Sequence, residues 1–370
     1  MPDLQLLIFL VILLALIFDF INGFHDTANA IATSVSTRAI HPQHAIIMAA
    51  VLNFFGAMYS TGVAKTIGSD IVKSASHVDE HVLIAALFGS IVWNVITWKF
   101  SMPSSSSHAL VGGVIGAVLM TSSGVDGLNF TGIGKIVLSL ILSPLVGMVS
   151  GCIIMLLLFR VFGHSRPTSI NGKFKKMQIL SAATMAFSHG SNDAQKSMGI
   201  ITLALLAGGY IDAFEVPTYV KILAATAMAC GTAVGGWRII KTIGGKIFKL
   251  QPISGFSADL NSSIIIFGAT LLHLPVSTTH VVSGSIMGVG AAKRINAVRW
   301  GVAQQMVVAW VLTIPCTAIM GAITYILYLM ITCSRWAGFS VKREEGSDEK
   351  NIDAACTRGR AELLQSDCCS

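Results

Sequence analysis

Two interruptions of the same kind organise the hydropathy pattern of this chain. Apolar runs of the length a membrane helix needs, ~20 residues, are broken at Phe18–Ala30 (FDFINGFHDTANA) and again at Ala186–Ser197 (AFSHGSNDAQKS). An Asp at membrane depth costs at least ~2.5–3.5 kcal/mol, so it faces a protein interior and marks function. Overlaying the stretches pairs Asp26 with Asp193, Gly23 with Gly190, His25 with Asn192 and Asn29 with Lys196. The glycines read as points where the backbone unwinds, which predicts a discontinuous helix in each copy.

The other apolar runs follow one order in both halves. Ala45–Val63, Val82–Trp98, Ala109–Met120 and Ile136–Phe159 complete the first. Tyr219–Gly236, Leu260–Leu274, Val281–Ala292 and Val302–Ile331 complete the second. In each, two apolar arms flank a Ser/Thr-His tip: MPSSSSH at Met102–His108 and PVSTTH at Pro275–His280. Asp26 to Asp193 is 167 positions and His108 to His280 is 172, so two independent landmarks share nearly one offset. The expected organisation is a first repeat over 1–159, a basic linker over 160–177, a second repeat over 178–333 and a polar, disordered tail over 334–370. Lys65–His81, mixed in charge, reads as an exposed loop.

Charge sets direction. The three basic loops, after Phe159, Gly236 and Ala292, are assigned to the cytoplasm. Each two-armed unit must then return to its own side, by a re-entrant hairpin or by two full crossings. The first half begins outside and the second inside, which puts both termini outside. The expected fold is an all-α polytopic membrane protein of two inverted repeats, each with a discontinuous helix and a re-entrant helical hairpin.

Composition narrows the class. Of 370 residues, 53% are hydrophobic and 12% charged, with mean hydropathy +0.72. Soluble domains carry about 25% charged residues, so the lipid bilayer is the expected surroundings, in a multi-pass protein of the cell (inner) membrane. The net charge of +7 lies in short loops and reports topology, not a nucleic-acid partner. Seven cysteines form no disulfide framework and no zinc pattern. Leu4–Ile21 has no basic residue before it and no cleavage pattern after it, so it reads as a retained helix, not a signal peptide.

In a helix Asn22, Asp26 and Asn29 share one face, as do His189, Asp193 and Lys196. Such clusters suit a small hard cation or a carboxylate that takes a proton. His25, Asp26, Asn29, Asn192 and Asp193 are therefore the candidate coupling residues. The tips supply hydroxyls just before a resuming helix, whose N-terminus attracts anions. Ser105, Ser106, Ser107, Ser277, Thr278 and Thr279 are the candidate substrate residues, joined by Lys196 as an offsetting charge. Plain N-capping needs one such residue, not a run. No resident metal or cofactor is expected beyond a coupling ion, H+ or Na+.

Four stretches in order carry a resemblance to the Pit-type inorganic phosphate transporters: GFHDTANA at Gly23–Ala30, PSSSSH at Pro103–His108, FSHGSNDAQKS at Phe187–Ser197 and PVSTTH at Pro275–His280. The resemblance covers roughly Leu4–Tyr328. It implies cation-coupled uptake of inorganic phosphate, free or as a metal–phosphate complex, by hairpins meeting at midmembrane in a homodimer. Many members read GAND..AN in both copies. Here His25 and Lys196 replace two of those amides, which resembles the proton-coupled bacterial branch.

A sodium-coupled phosphate or sulfate symporter of the same architecture is the alternative. An intramembrane hydrolase would need one activated nucleophile with its base, and the chain has no GxSxG or HExxH. It is not read as an enzyme.

Overall fold

The computed structural model describes residues 2–73, 79–163 and 167–343. Among them the chain is helical, with one isolated bridge between Val72 and Leu128. The first half comprises α1 (Pro2–Ser36), α2 (Pro42–Tyr59), α3 (Gly62–Asp70), α4 (Glu80–Lys99), α5 (Ser106–Leu119) and α6 (Phe130–Phe162). The second comprises α7 (Pro167–Ala207), α8 (Thr218–Val234), α9 (Trp237–Lys241) with a π turn to Lys246, α10 (Pro252–Leu271), α11 (Thr278–Lys293) and α12 (Trp300–Arg343).

The discontinuities fall one helix later than the sequence predicts. Both α1 and α7 run unbroken through the Asp26 and Asp193 stretches. The bends come instead within the two runs expected to be plain spans: 72° between α2 and α3, and 68° between α8 and the α9 segment. Glycine explains the difference. A Cβ on Gly23 would collide with the carbonyl of Met228 in α8, and one on Gly190 with the carbonyl of Asn53 in α2. Gly231 and Gly56 answer from the other side, against the carbonyls of Phe20 and Phe187. These glycines let backbones touch, as small residues do between membrane helices. They do not unwind the helix.

At the true bends, freed backbone groups find other partners. The Gln195 side-chain oxygen accepts from Val63 N at 2.7 Å and Ala64 N at 3.1 Å, capping α3 from α7. The second bend turns at Gly235, whose φ of +76° suits glycine.

Helix pairing is exchanged between the halves. The α1 helix packs on α8 as α7 packs on α2, and α6 packs on α11 as α5 packs on α12. The last two seams repeat in detail: Gly284 and Gly288 face the backbone of Pro144 and Met148, while Gly112 and Gly116 face Ile314 and Ala318. Residues 25–34 of α1 and 188–205 of α7 are buried on every side. This is how α7, too polar to qualify as a lipid-facing span, remains a helix: its solvent is protein.

The two-armed units are hairpins. Their second arms, α5 and α11, have 14 and 16 residues, short of the ~20 a crossing needs. Backbone before and after each hairpin is tied together, Asn129 N to Ile71 O at 3.0 Å and Arg299 N to Ile247 O at 2.9 Å. Tips of the two hairpins meet inside the protein, with Ser107 Oγ donating to Val276 O at 3.1 Å.

Three stretches expected as loops or tail are helical in part. The region after Thr61 forms α3, with Ile67 and Ile71 buried. The basic linker is mostly the first turns of α7, with Arg166 outside the described residues. The final helix continues past Ser334 to Arg343, and 344–370 lie outside the described residues.

Candidate functional site

The unbroken course of α1 stacks Asp19, Asn22, Asp26, Asn29 and Thr33 at steps of three and four residues, all on one face and all buried. Across from them α7 presents His189, Asp193 and Lys196, also buried. The tip of the second hairpin joins the two helices. Thr279 Oγ1 donates to Asp26 Oδ1 at 3.2 Å, and Thr278 Oγ1 donates to Asp193 Oδ2 at 3.1 Å. Above both threonines, Asn29 Nδ2 donates to Thr279 Oγ1 at 2.9 Å and Thr278 Oγ1 at 3.4 Å. One amide thus feeds two hydroxyls, and each hydroxyl feeds one carboxylate.

Each carboxylate also meets nitrogen. His25 Nδ1 lies 2.9 Å from Asp26 Oδ1, and Lys196 Nζ donates to Asp193 Oδ1 at 2.7 Å. The tautomer of His189 follows from its neighbours. Thr232 Oγ1 donates to Met228 O, so it accepts from Asn53 Nδ2 at 3.0 Å. Asn53 Oδ1 therefore faces His189 Nδ1 at 3.1 Å as an acceptor, and Nδ1 carries a hydrogen. The other nitrogen, Nε2, points at Asp193 Oδ2 from 3.4 Å. Asp26, His189 and Asp193 offer ligand atoms within 4.8 Å of one another, the spacing of a cation site.

The expected residues divide by role. Ser105 and Ser277 are helix N-caps, accepting from His108 N and His280 N at 3.3 Å each. Ser107 ties the tips together, and Ser106 is buried. Asn192 is a clamp on the hairpin turn: its Nδ2 donates to Thr270 Oγ1 at 3.1 Å and to Leu274 O at 3.3 Å. Thr278 and Thr279, expected on the substrate, hold the carboxylates through their side chains. Behind the tips, the rings of His108 and His280 lie 4.5 Å apart, tilted by 37°, and Trp310 lies 4.0 Å from His280, tilted by 32°.

Sequence reasoning passed over Asn53 and Thr232, which orient His189, and two further buried acids, Asp19 and Asp259. Thr33 Oγ1 donates to Asp259 Oδ1 at 2.5 Å. A signal existed for Asp19, which sits seven residues before Asp26 in the same interrupted stretch. None existed for Asp259, on the outer arm of a hairpin.

Known proteins are similar to this chain over most of its length. The description of the phosphate transporter family (PHO4) matches residues 22–321. A Bacillus subtilis protein, "Probable low-affinity inorganic phosphate transporter", is 52% identical over 333 residues, covering 90% of this chain and 100% of its own. One of the same description from Rhizobium meliloti is 45% identical over 316 residues, 85% of this chain and 94% of its own. A solved structure titled "The sodium-dependent phosphate transporter" superposes with a TM-score of 0.79 at 26% identity, covering 88% of this chain and 99% of that one.

Proposed function

The chain belongs to the phosphate transporter family, and from that premise we propose that it is a symporter in which protons drive inorganic phosphate across the membrane. One observation carries the choice of ion. The two amides of GAND..AN that this chain replaces, at His25 and Lys196, are the positions that put nitrogen on the two central carboxylates. Sodium needs several oxygen ligands. Here an ammonium already neutralises Asp193, and a titratable imidazole touches Asp26. Phosphate binds between the hairpin tips, where the starts of α5 and α11 meet and a helix N-terminus favours an anion. Lys196 lies close behind as the buried positive charge.

Sodium coupling is the second reading. Asp26 Oδ2 and Asn29 Oδ1 are buried oxygens without a hydrogen-bond partner, and the superposed structure is titled sodium-dependent. Uptake into proteoliposomes under an inward-acid gradient separates the two. With choline replacing sodium, the expected rate stays within about twofold. Collapse of uptake without sodium would overturn proton coupling. Reverting His25 and Lys196 to Asn together is expected to introduce sodium dependence.

The two halves are taken to cross the membrane in opposite directions, with the N-terminus outside. Cysteine labelling on a cysteine-free background is expected to reach position 175 from the cytoplasm only and position 126 from outside only. Both residues are exposed. Labelling of position 126 from the cytoplasm rejects this orientation.

A further inference from the structure

Asp19 stands outside the paired site. At the repeat offset of 167 its counterpart is Ala186, so the second half has no matching acid. It precedes Asp26 by seven residues on the same face of α1, about 10 Å toward the N-terminal end. The side chain is 0% exposed, and neither carboxylate oxygen has a hydrogen-bond partner. One turn further on, Asn22 is equally buried with both amide atoms unpartnered, and the hydroxyl of Ser197 on α7 is buried and unpartnered as well. Ser197 lies beside the Asp19 carboxylate. Five buried polar atoms on three side chains are thus left without a hydrogen bond of ordinary length, with the Ser197 hydroxyl beside the carboxylate.

The surrounding charge does not satisfy them. From the elements packed on α1, the charged groups acting on Asp19 are Lys196 and Asp193 of α7. Lys196 is already held by Asp193 at 2.7 Å. The α4 and α8 helices, also packed on α1, carry Glu80, Lys99 and Lys221 near their ends. Asp259 and His280 reach α1 from the opposite end, and His25 and Asp26 lie two turns along α1 itself. Asp19, Asp26 and Asp193 together face one lysine. With the histidines neutral, that leaves two negative charges deep inside the protein, which is costly unless a proton or cation answers them.

We propose that Asp19, backed by Asn22 and Ser197, is a separate station for a monovalent coupling cation. It loads one cation per transport cycle from the N-terminal side of α1 and passes it toward Asp26. This rests on the proton-coupled reading, in which a carboxylate oxygen of Asp19 takes the proton and later releases it to the Asp26–His25 pair. An all-oxygen set of carboxylate, amide and hydroxyl accepts sodium by the same chemistry, and the test separates the two.

The experiment uses the full chain in proteoliposomes, with Asp19→Asn and Asp19→Glu compared with wild type. Cations moved per phosphate are read from reversal potentials, and phosphate counterflow at equal pH on both sides reports substrate passage. A coupled proton contributes tenfold to phosphate accumulation per unit of imposed pH difference, 1.36 kcal/mol. Asp19→Asn is expected to move one cation fewer per phosphate and to accumulate about tenfold less per pH unit, with counterflow persisting. Asp19→Glu is expected to keep the stoichiometry and shift the pH of half-maximal accumulation. Unchanged stoichiometry in Asp19→Asn overturns the proposal. Should that variant not insert, an unshifted pH profile in Asp19→Glu overturns it as well. A wild type that accumulates phosphate only with sodium rejects proton coupling by itself. The station then stands if Asp19→Asn loses one sodium per phosphate, and falls if it does not.

Discussion

Replacing Lys196 by methionine is expected to cost about 3–5 kcal/mol of stability, the penalty for leaving a buried ion unpaired. Lys196 and Asp193 are both 0% exposed, and their 2.7 Å contact joins residues three apart on one helix. Methionine fills much of the same volume and leaves Asp193 without its cation. The other nitrogen near Asp193 is His189 Nε2, 3.4 Å away. Adding Asp193→Asn should therefore recover most of the loss, because the pair is then removed whole. Denaturation of the purified single and double variants in detergent measures the cycle. A Lys196→Met protein as stable as wild type would show that the ammonium is not what balances Asp193.

Asp26→Asn is the second large effect, on transport and not on folding. Asparagine keeps the shape of the side chain and an oxygen to accept from Thr279 Oγ1, so the hairpin stays tied to α1. It cannot gain and lose a proton, and it removes one of the three acids that face Lys196. Gradient-driven phosphate uptake is expected to fall to the level of protein-free liposomes at wild-type insertion. Asp193→Asn alone is a less clean test, since it strands Lys196. Wild-type uptake by Asp26→Asn would assign Asp26 to structure.

Several residues changed meaning once the helices were in place. Gly23 and Gly190 looked like hinges because Gly, Asn and Asp cluster around them. In a soluble helix that pattern marks a break. Buried against another backbone, the missing Cβ becomes a contact, and the neighbouring polar groups bond across to other elements. Asn192, aligned with His25 by sequence, clamps the turn before Pro275 in the structure. The capping reading of the tips holds for Ser105 and Ser277, while Ser107, Thr278 and Thr279 after them are engaged by Val276 O, Asp193 and Asp26.

The sequence by itself determined the membrane environment, the all-helical class, the order of elements in both halves and the faces on which Asp26 and Asp193 lie. Each of these follows from local quantities: apolar length, charge density, and a period of 3.6 residues. Only the tertiary structure decided where the helices bend, which groups of the hairpin tips touch, and which group answers each buried acid. Thr278 reaches Asp193 across 85 residues of chain, and Thr279 reaches Asp26 across 253. A buried polar side chain declares in the sequence that it needs a partner. Which partner it receives depends on how closely helices from opposite halves pack, and glycine at the crossings sets that distance.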